Sequence, residues 1–459
     1  MADVEEKEVE PGDVYALNTS TVDALLAAVE VDAADQLSGL LADLHAADIA
    51  DLLEQIGPAK RQQLLSLWGT EVAGDVLAEL EEGVRDEVLA ALAPEQLAAA
   101  VQEMETDDVV YLVEDLEAPQ QAEVLDALDR TEREAVTQAL AYPDESAGRL
   151  MQREVVTAPE HWTVGDAIDF MRASDDLPDE FYHLIVVDPR LHPVAKVSLG
   201  RIMSHPRATP ISELHDDDFR PIPVDQTEED VAYAFNQYHL ISAPVVDAEG
   251  RLVGVITIDD AMAVLEDAAE EDMKRLAGLG DEELEDTVWK ATRARFPWLA
   301  VNLVTAILAS MVIDQFSATI AALVALAVLM PIVASMGGNA GTQTLTVAVR
   351  ALATRDLTPA NALRIIRREA LVGLLNGVAF AVIIGVVGAA WFGSPALGLV
   401  LAAAMVVNLL IAGLAGILIP MGLERVGADP ALASGAFVTT VTDVVGFFAF
   451  LGLAAVVLL

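Results

Sequence analysis

Residues 437–450 read FVTTVTDVVGFFAF, an otherwise lipid-compatible run with a carboxylate, Asp443, at its centre. The run lies inside an apolar stretch from 431 to 459, longer than the ~20 residues a helix needs to cross a bilayer. A helix starting near Ala431 puts Asp443 about 12 residues in, ~18 Å along at 1.5 Å per residue and close to the midplane of a ~30 Å core. An aspartate there cannot reach the interface and costs roughly 2.5–3.5 kcal/mol on insertion, so its place is a polar path or a paired site. Thr439, Thr440, Gly446 and Phe447 lie three and four residues away, which sets a stripe of hydroxyl-bearing and small residues beside the acid.

Four more apolar runs precede this one, at about 297–313, 318–349, 370–392 and 396–423. Five spans follow, an all-α transmembrane domain over 296–459. The chain has 459 residues, no cysteine, 54% hydrophobic residues and a formal net charge of -47. From Pro297 onward six acids face six bases, so the whole surplus lies in the part before the membrane. Arg293 and Arg295 precede the first span, Arg350 to Arg368 lie between the second and third, and Arg425 lies between the fourth and fifth. With five spans these places share one side, and the positive-inside rule makes that side cytoplasmic and the C-terminus external. The N-terminus MADVEEKEVE lacks the basic and apolar regions of a secretory signal, in agreement with a cytoplasmic soluble part in a multi-pass protein of the plasma membrane.

The second run contains LMPIVASMGGNAGTQT. Pro331 removes a backbone donor and Gly337, Gly338 and Gly341 weaken a helix, which predicts a bend or an opened turn near Asn339 with carbonyls turned to a water-filled path. The competing reading is close helix packing through small residues.

Ahead of the membrane, residues 1–19 form an acidic tail. Residues 20–141 carry apolar residues at helical spacing, Leu44, Ile49, Leu52, Leu53 and Ile56 among them, broken by Pro and Gly into short hairpins that stack as a superhelix. Residues 142–206 and 207–262 share a plan: a helix (Val164 to Arg172; Glu228 to Tyr238), then the apolar strand HLIVVD or the hairpin PVVD-AEG-LVGVIT with its turn at Asp247 to Gly250. This plan resembles the paired CBS module, an α/β fold. Thr257 and Asp260 match the Thr-x-x-Asp pattern that holds a nucleotide ribose in that family, which implies ATP as a ligand, whereas the first copy has Arg201 in the place of the aspartate. Residues 263–295 form a charged connector, helical with a break at GLG (278–280).

No Lys, Arg or His lies deep in any span. The partner of Asp443 is therefore backbone, another polar side chain, a proton, or a cation from outside the protein. Carboxylate, amide, hydroxyl and carbonyl oxygens suit Mg²⁺, Ca²⁺ or Mn²⁺ better than softer ions. A symmetric dimer brings two aspartates to one axis, enough to hold a hydrated divalent ion. So acidic a surface repels nucleic acid, and no nucleophile with a base, phosphate loop or metal-water signature marks an enzyme. Two other readings keep the same residues: a secondary transporter coupled to H⁺ or Na⁺ through Asp443, and a CBS-type sensor whose spans only anchor it in the lipid bilayer. With only five lysines against its acids, the soluble part also has the balance of a protein adapted to high salt.

The order of parts, with GGNAGTQT, TTVTDVVGF and RALATRDL, resembles the MgtE family of magnesium channels over nearly the full length. The resemblance implies a homodimer with the pore at the subunit interface, Asp443 of each chain binding hydrated Mg²⁺, and Asn339, Thr439 and Gly446 assisting. Mn²⁺, Co²⁺, Ni²⁺ and Ca²⁺ are the competing ions. It also implies feedback by intracellular Mg²⁺ held between acidic faces, with acids at Asp75, Asp107, Glu229, Asp260, Glu271, Asp272 and Asp429. Clustered carboxylates repel one another until a cation joins them, so the ion favours the closed arrangement. Asp429 before Pro430 is also an ordinary helix cap.

Overall fold

The computed structural model describes residues 17–459 except 70–71, 103, 115, 117, 175–176, 179–180, 217–218 and 280–287. Most of the acidic tail and the GLG end of the connector, at Gly280, lie outside the described residues. The chain divides into two compact units, residues 1–266 and 267–459.

In the first unit the described residues form ten short helices, α1 (Thr19–Glu30) to α10 (Arg130–Ala139). Most pack chiefly on neighbours two or three along the chain, as α2 on α4, α3 on α5, α4 on α6 and α7 on α9, the pattern of a superhelix. Pro58 and Pro94 each stand in the first helical turn, where the missing N–H is not needed. The stripe expected in α3 (Ala46–Gln55) is buried at Ile49, Leu52 and Leu53.

After α11 (Ala147–Leu150) come two copies of one small sheet. β1 (Thr157–Pro159), β2 (His183–Val187) and β3 (Pro193–Ser198) form the first, β1 parallel and β3 antiparallel to β2, with α12 (Val164–Ala173) and α13 (Leu199–Ser204). β4 (Ile222–Pro223), β5 (Ser242–Val246) and β6 (Leu252–Thr257) repeat this arrangement with α14 (Glu228–Tyr238). The β5–β6 turn closes as the sequence predicts: Asp247 N donates to Arg251 O, and Gly250 takes φ +80, open to glycine. The copies exchange segments. Ala147 and Met151 pack in the core of the second copy and Gln152 bridges Val255, while residues 207–209 accept backbone bonds from Val164 and Gly165 of the first. α15 (Ile258–Leu276) follows directly on β6 and continues past residue 266, where the first unit ends.

The second unit holds the spans: α16 (Val288–Gln315), a short α17 (Ser317–Ala322), α18 (Ala325–Ala353), α19 (Ala362–Phe392), α20 (Pro395–Arg425) and α21 (Pro430–Val457). Five of them are long and apolar enough to cross a membrane. α20 is the most buried of the five. Its seam with α19 is made by small residues: a Cβ on Gly373 would lie 2.6 Å from Leu409 O, and one on Gly398 2.4 Å from Gly385 O. Backbones this close are how helices associate where water supplies no hydrophobic drive.

The second apolar run differs from expectation. It breaks at Leu323–Val324, between α17 and α18, and α18 passes through Pro331, Gly337, Asn339 and Gly341 as one helix. The predicted opened turn is absent. Gly337 and Gly341 are at points of close approach instead: a Cβ on Gly337 would lie 2.2 Å from Asn408 Nδ2, and one on Gly341 2.6 Å from Val438 Cγ1. The glycines admit neighbouring helices, and the chain stays helical through them.

Candidate ion pathway and acidic cluster

Asp443 lies 13 residues into α21, about 20 Å along a helix that extends about 42 Å. Its side chain is half-buried and has no hydrogen bond or ion pair among the described residues. One turn before it, Thr439 is exposed and its Oγ1 donates to Gly435 O at 2.9 Å; Thr440 Oγ1 donates to Ala436 O at 2.6 Å. A hydroxyl that gives its proton back to its own helix keeps its remaining lone pairs free to accept. Thr442, by contrast, is fully buried.

Asn339 is exposed on α18, on a face shared with Ser335, Thr342 and Thr346. Gly341 meets Val438 and Thr442, while Gly337 and Gly446 both meet Asn408. These contacts run along α18 and α21 in opposite senses, which brings Asn339 and Asp443 level to within about one turn, ~5 Å. Gly446 is on the inner side: it is buried, and a Cβ there would lie 2.8 Å from Asn408 Nδ2. Its expected place on the lining is thus a packing position, since a residue three along the helix from Asp443 has turned far enough to face α20.

In the first unit the structure brings together Asp107 and Asp108 of α8 (Thr106–Glu114), Glu105 before it, Asp259 and Asp260 of α15, and the Asp75–Glu79 segment at α5 (Gly74–Ala78). Burial, then the charges of Glu154 and Asp108, raises Glu105 to about 7. Burial, then Asp260 and Asp75, raises Asp108 to about 7 as well. Asp260 is raised to about 6 by burial, against hydrogen bonds from Thr257, and it also accepts one from the Asp107 carboxyl. Asp107 is pushed well up by burial, with Asp260 next in effect. Among the described residues no three carboxylates or imidazoles lie close enough to hold one metal ion directly. The cluster gathers carboxyl groups whose ionisation is opposed by burial and by one another.

Of the expected sensing acids, Asp75, Asp107 and Asp260 belong to this cluster. Glu229 is exposed in the first turn of α14. Glu271 pairs with Arg275 on α15, and Asp272 lies beside it, half-buried. Asp429 does two things at once: Oδ1 accepts from Ala431 N at 2.7 Å as the cap of α21, and Oδ2 pairs with Arg275 Nη1 at 2.8 Å. The cap reading is the one the geometry bears out, with an ion pair added.

The Thr-x-x-Asp pair closes on itself, Thr257 Oγ1 donating to Asp260 Oδ2 at 2.7 Å and Thr257 N at 3.2 Å. In the first copy Arg201 Nε pairs with Asp216 Oδ1 at 2.9 Å. Sequence reasoning missed Glu105, Asp108, Asp259, Arg275 and Asn408. The acids stand next to expected ones in METDD (104–108) and IDD (258–260), so the local density of charge was a usable signal. Asn408 and Arg275 gave none.

An acid in mid-membrane, with no protein cation beside it among the described residues and a hydroxyl-bearing face next to it, points to a multi-pass membrane protein that handles cations, with an α/β pair ahead of its spans. Comparison with known proteins narrows the class. Residues 330–453 match the family described as divalent cation transporter, residues 44–145 the MgtE intracellular N domain, and residues 147–206 and 211–267 the CBS domain. The magnesium transporter MgtE of Bacillus subtilis (strain 168) is 30% identical over 416 residues, 90% of this chain and 92% of that protein. The protein of the same name from Thermus thermophilus is 32% identical over 445 residues, 89% of this chain and 95% of its own. A crystal structure of the soluble part of a magnesium transporter is similar too, 26% identical with a TM-score of 0.49, over 55% of this chain and 98% of that one. The chain belongs to the MgtE family of magnesium transporters.

Proposed function

We propose that the protein is a homodimeric Mg²⁺ channel of the plasma membrane, with its soluble part in the cytoplasm and its C-terminus outside, that admits magnesium and closes when cytoplasmic Mg²⁺ is high. The carrying observation is Asp443: a carboxylate at mid-span, half-buried, without a hydrogen-bond or ion-pair partner among the described residues, level with the exposed Asn339 of the neighbouring helix. Paired across a twofold axis, two such carboxylates supply the charge a hydrated divalent ion needs, and Thr439, Thr342 and Asn339 supply oxygens to its water shell. The names of its relatives support magnesium as the ion carried.

The gate has a physical route. α15 starts in the acidic cluster at Asp259 and Asp260 and ends at Arg275, paired with the cap of the Asp443 helix. Nineteen helical residues make a rod of about 28 Å. Mg²⁺ drawn into the cluster lowers the repulsion among its acids and fixes the start of the rod, and the Arg275–Asp429 pair transmits that to α21. Asp260 serves the cation cluster rather than a nucleotide ribose, because its carboxylate is already engaged by Thr257 and Asp107.

Single-channel recording of the protein in planar bilayers tests the channel. A current that reverses at the Mg²⁺ equilibrium potential and falls as Mg²⁺ is raised on the cytoplasmic side is expected, and Asp443→Ala abolishes it. Flux fixed in stoichiometry to H⁺ or Na⁺ would establish a coupled transporter, and flux indifferent to Asp443→Ala would remove the pore assignment altogether.

A further inference from the structure

Asn408 is wholly buried near the middle of α20. Its Nδ2 donates to Val333 O of α18 at 2.8 Å, while Oδ1 has no hydrogen-bond partner among the described residues. It fills the space left by two glycines on two different helices. A Cβ on Gly337 of α18 would lie 2.2 Å from Nδ2, and one on Gly446 of α21 would lie 2.8 Å from it. A buried amide half satisfied in the interior of a membrane bundle is disfavoured, and a leucine would fill the volume without leaving an acceptor unpaired. Its retention calls for a use.

Its position supplies one. Gly337 is two residues from Asn339, and Gly446 is three residues from Asp443. Asn408 therefore stands directly behind the two helices that present the polar groups of the ion path, touching both at the level of those groups. The bond to Val333 O reaches α18 at the turn that ends in Gly337–Gly338, where the backbone is least constrained by its own side chains. A short side chain with two torsions, bonded to one helix and wedged against the other, sets their spacing more strictly than an aliphatic contact, which tolerates sliding.

Resting on the pore reading given above, we propose that Asn408 is a positioning residue for ion selection: it fixes the separation of the Asn339 and Asp443 helices from behind and so sets which hydrated divalent cation the path accepts. It touches no ion itself. Displacements well under an ångström suffice, because an outer-shell site recognises a hydrated ion by the spacing of its oxygens.

The test uses the full-length protein in liposomes loaded with a divalent-sensitive dye, comparing Mg²⁺ with Ca²⁺ influx for the parent, Asn408→Leu, Asn408→Asp and Asp443→Ala. Asn408→Leu is expected to cut the Mg²⁺ to Ca²⁺ ratio by about tenfold or more. Asn408→Asp, whose carboxyl keeps the shape and, protonated, the donor to Val333 O, restores most of the ratio. A general packing defect lowers both fluxes together and leaves the ratio alone, and that result overturns the proposal, as does a ratio unchanged in Asn408→Leu. If Asn408→Leu does not assemble, Gly446→Ala carries the test: its methyl pushes on Nδ2 with Asn408 in place, and an unaltered ratio refutes the assignment. Retained Mg²⁺ flux in Asp443→Ala would instead overturn the pore reading, a result independent of Asn408.

Discussion

The acidic cluster predicts that magnesium and protons compete at the sensor. At pH 7, Glu105 and Asp108, both near 7, are each about half protonated and together hold about one proton. A divalent cation entering the cluster favours the ionised forms, so saturating it at pH 7 releases about one proton from these two groups and its affinity rises on the order of tenfold between pH 6.5 and 7.5. The sign follows from the direction of the shifts. These carboxyls are raised above their unfolded values, so their contribution to stability is complete below about pH 4 and is lost as pH rises through 6 to 7. Asp108 alone, moved from 3.8 to about 7, opposes folding by up to about 4 kcal/mol once ionised, less the screening at its exposed edge. Magnesium restores that stability where alkali removes it. Titration calorimetry of the full chain in nanodiscs, repeated at pH 7 in buffers of different ionisation enthalpy, reads the proton count directly. Equal apparent enthalpies in all buffers would refute the reasoning, and Asp108→Asn should lower the count by about half a proton.

Two further outcomes are expected. Arg275→Glu places like charges at the cap of α21, so its current should persist at cytoplasmic Mg²⁺ that closes the parent; adding Asp429→Arg should recover closure, and a parent-like dose response in Arg275→Glu would exclude the pair from gating. Gly373→Val drives a side chain into Leu409 O, where even a Cβ would lie 2.6 Å away; a loss of about 1–3 kcal/mol should appear as a lowered unfolding midpoint in detergent, and an unchanged midpoint would show that the α19–α20 seam yields freely.

The spans, the superhelix and the paired sheets were legible because each depends on local pattern: long apolar runs, a helical stripe such as Ile49, Leu52 and Leu53, and a turn at Asp247 to Gly250 that only certain residues make. Asp443 was legible for a related reason, since a charge among apolar neighbours stands out in any window. The segment exchange between the two α/β copies was not, because Met151 and Gln152 reach partners a hundred residues on and nothing in their own neighbourhood names Val255.

The glycines of α18 show where local reading reaches its limit. Pro331 with Gly337, Gly338 and Gly341 is what an opened helix at a pore requires, and Gly337 and Gly341 are equally what a continuous helix requires when others press against it. The two cases differ only in what stands opposite, and here Asn408, Val438 and Gly416 stand opposite. The consequence for function is a division of labour on one helix. The buried glycines face α20 and α21 and set distances, while Ser335, Asn339, Thr342 and Thr346 turn outward with their backbone bonded and only side-chain oxygens to offer. On the pore reading proposed above, such a face would meet an ion through amide and hydroxyl groups that exchange hydrogen bonds with water, which would favour passage of a cation that keeps its shell over one that must shed it.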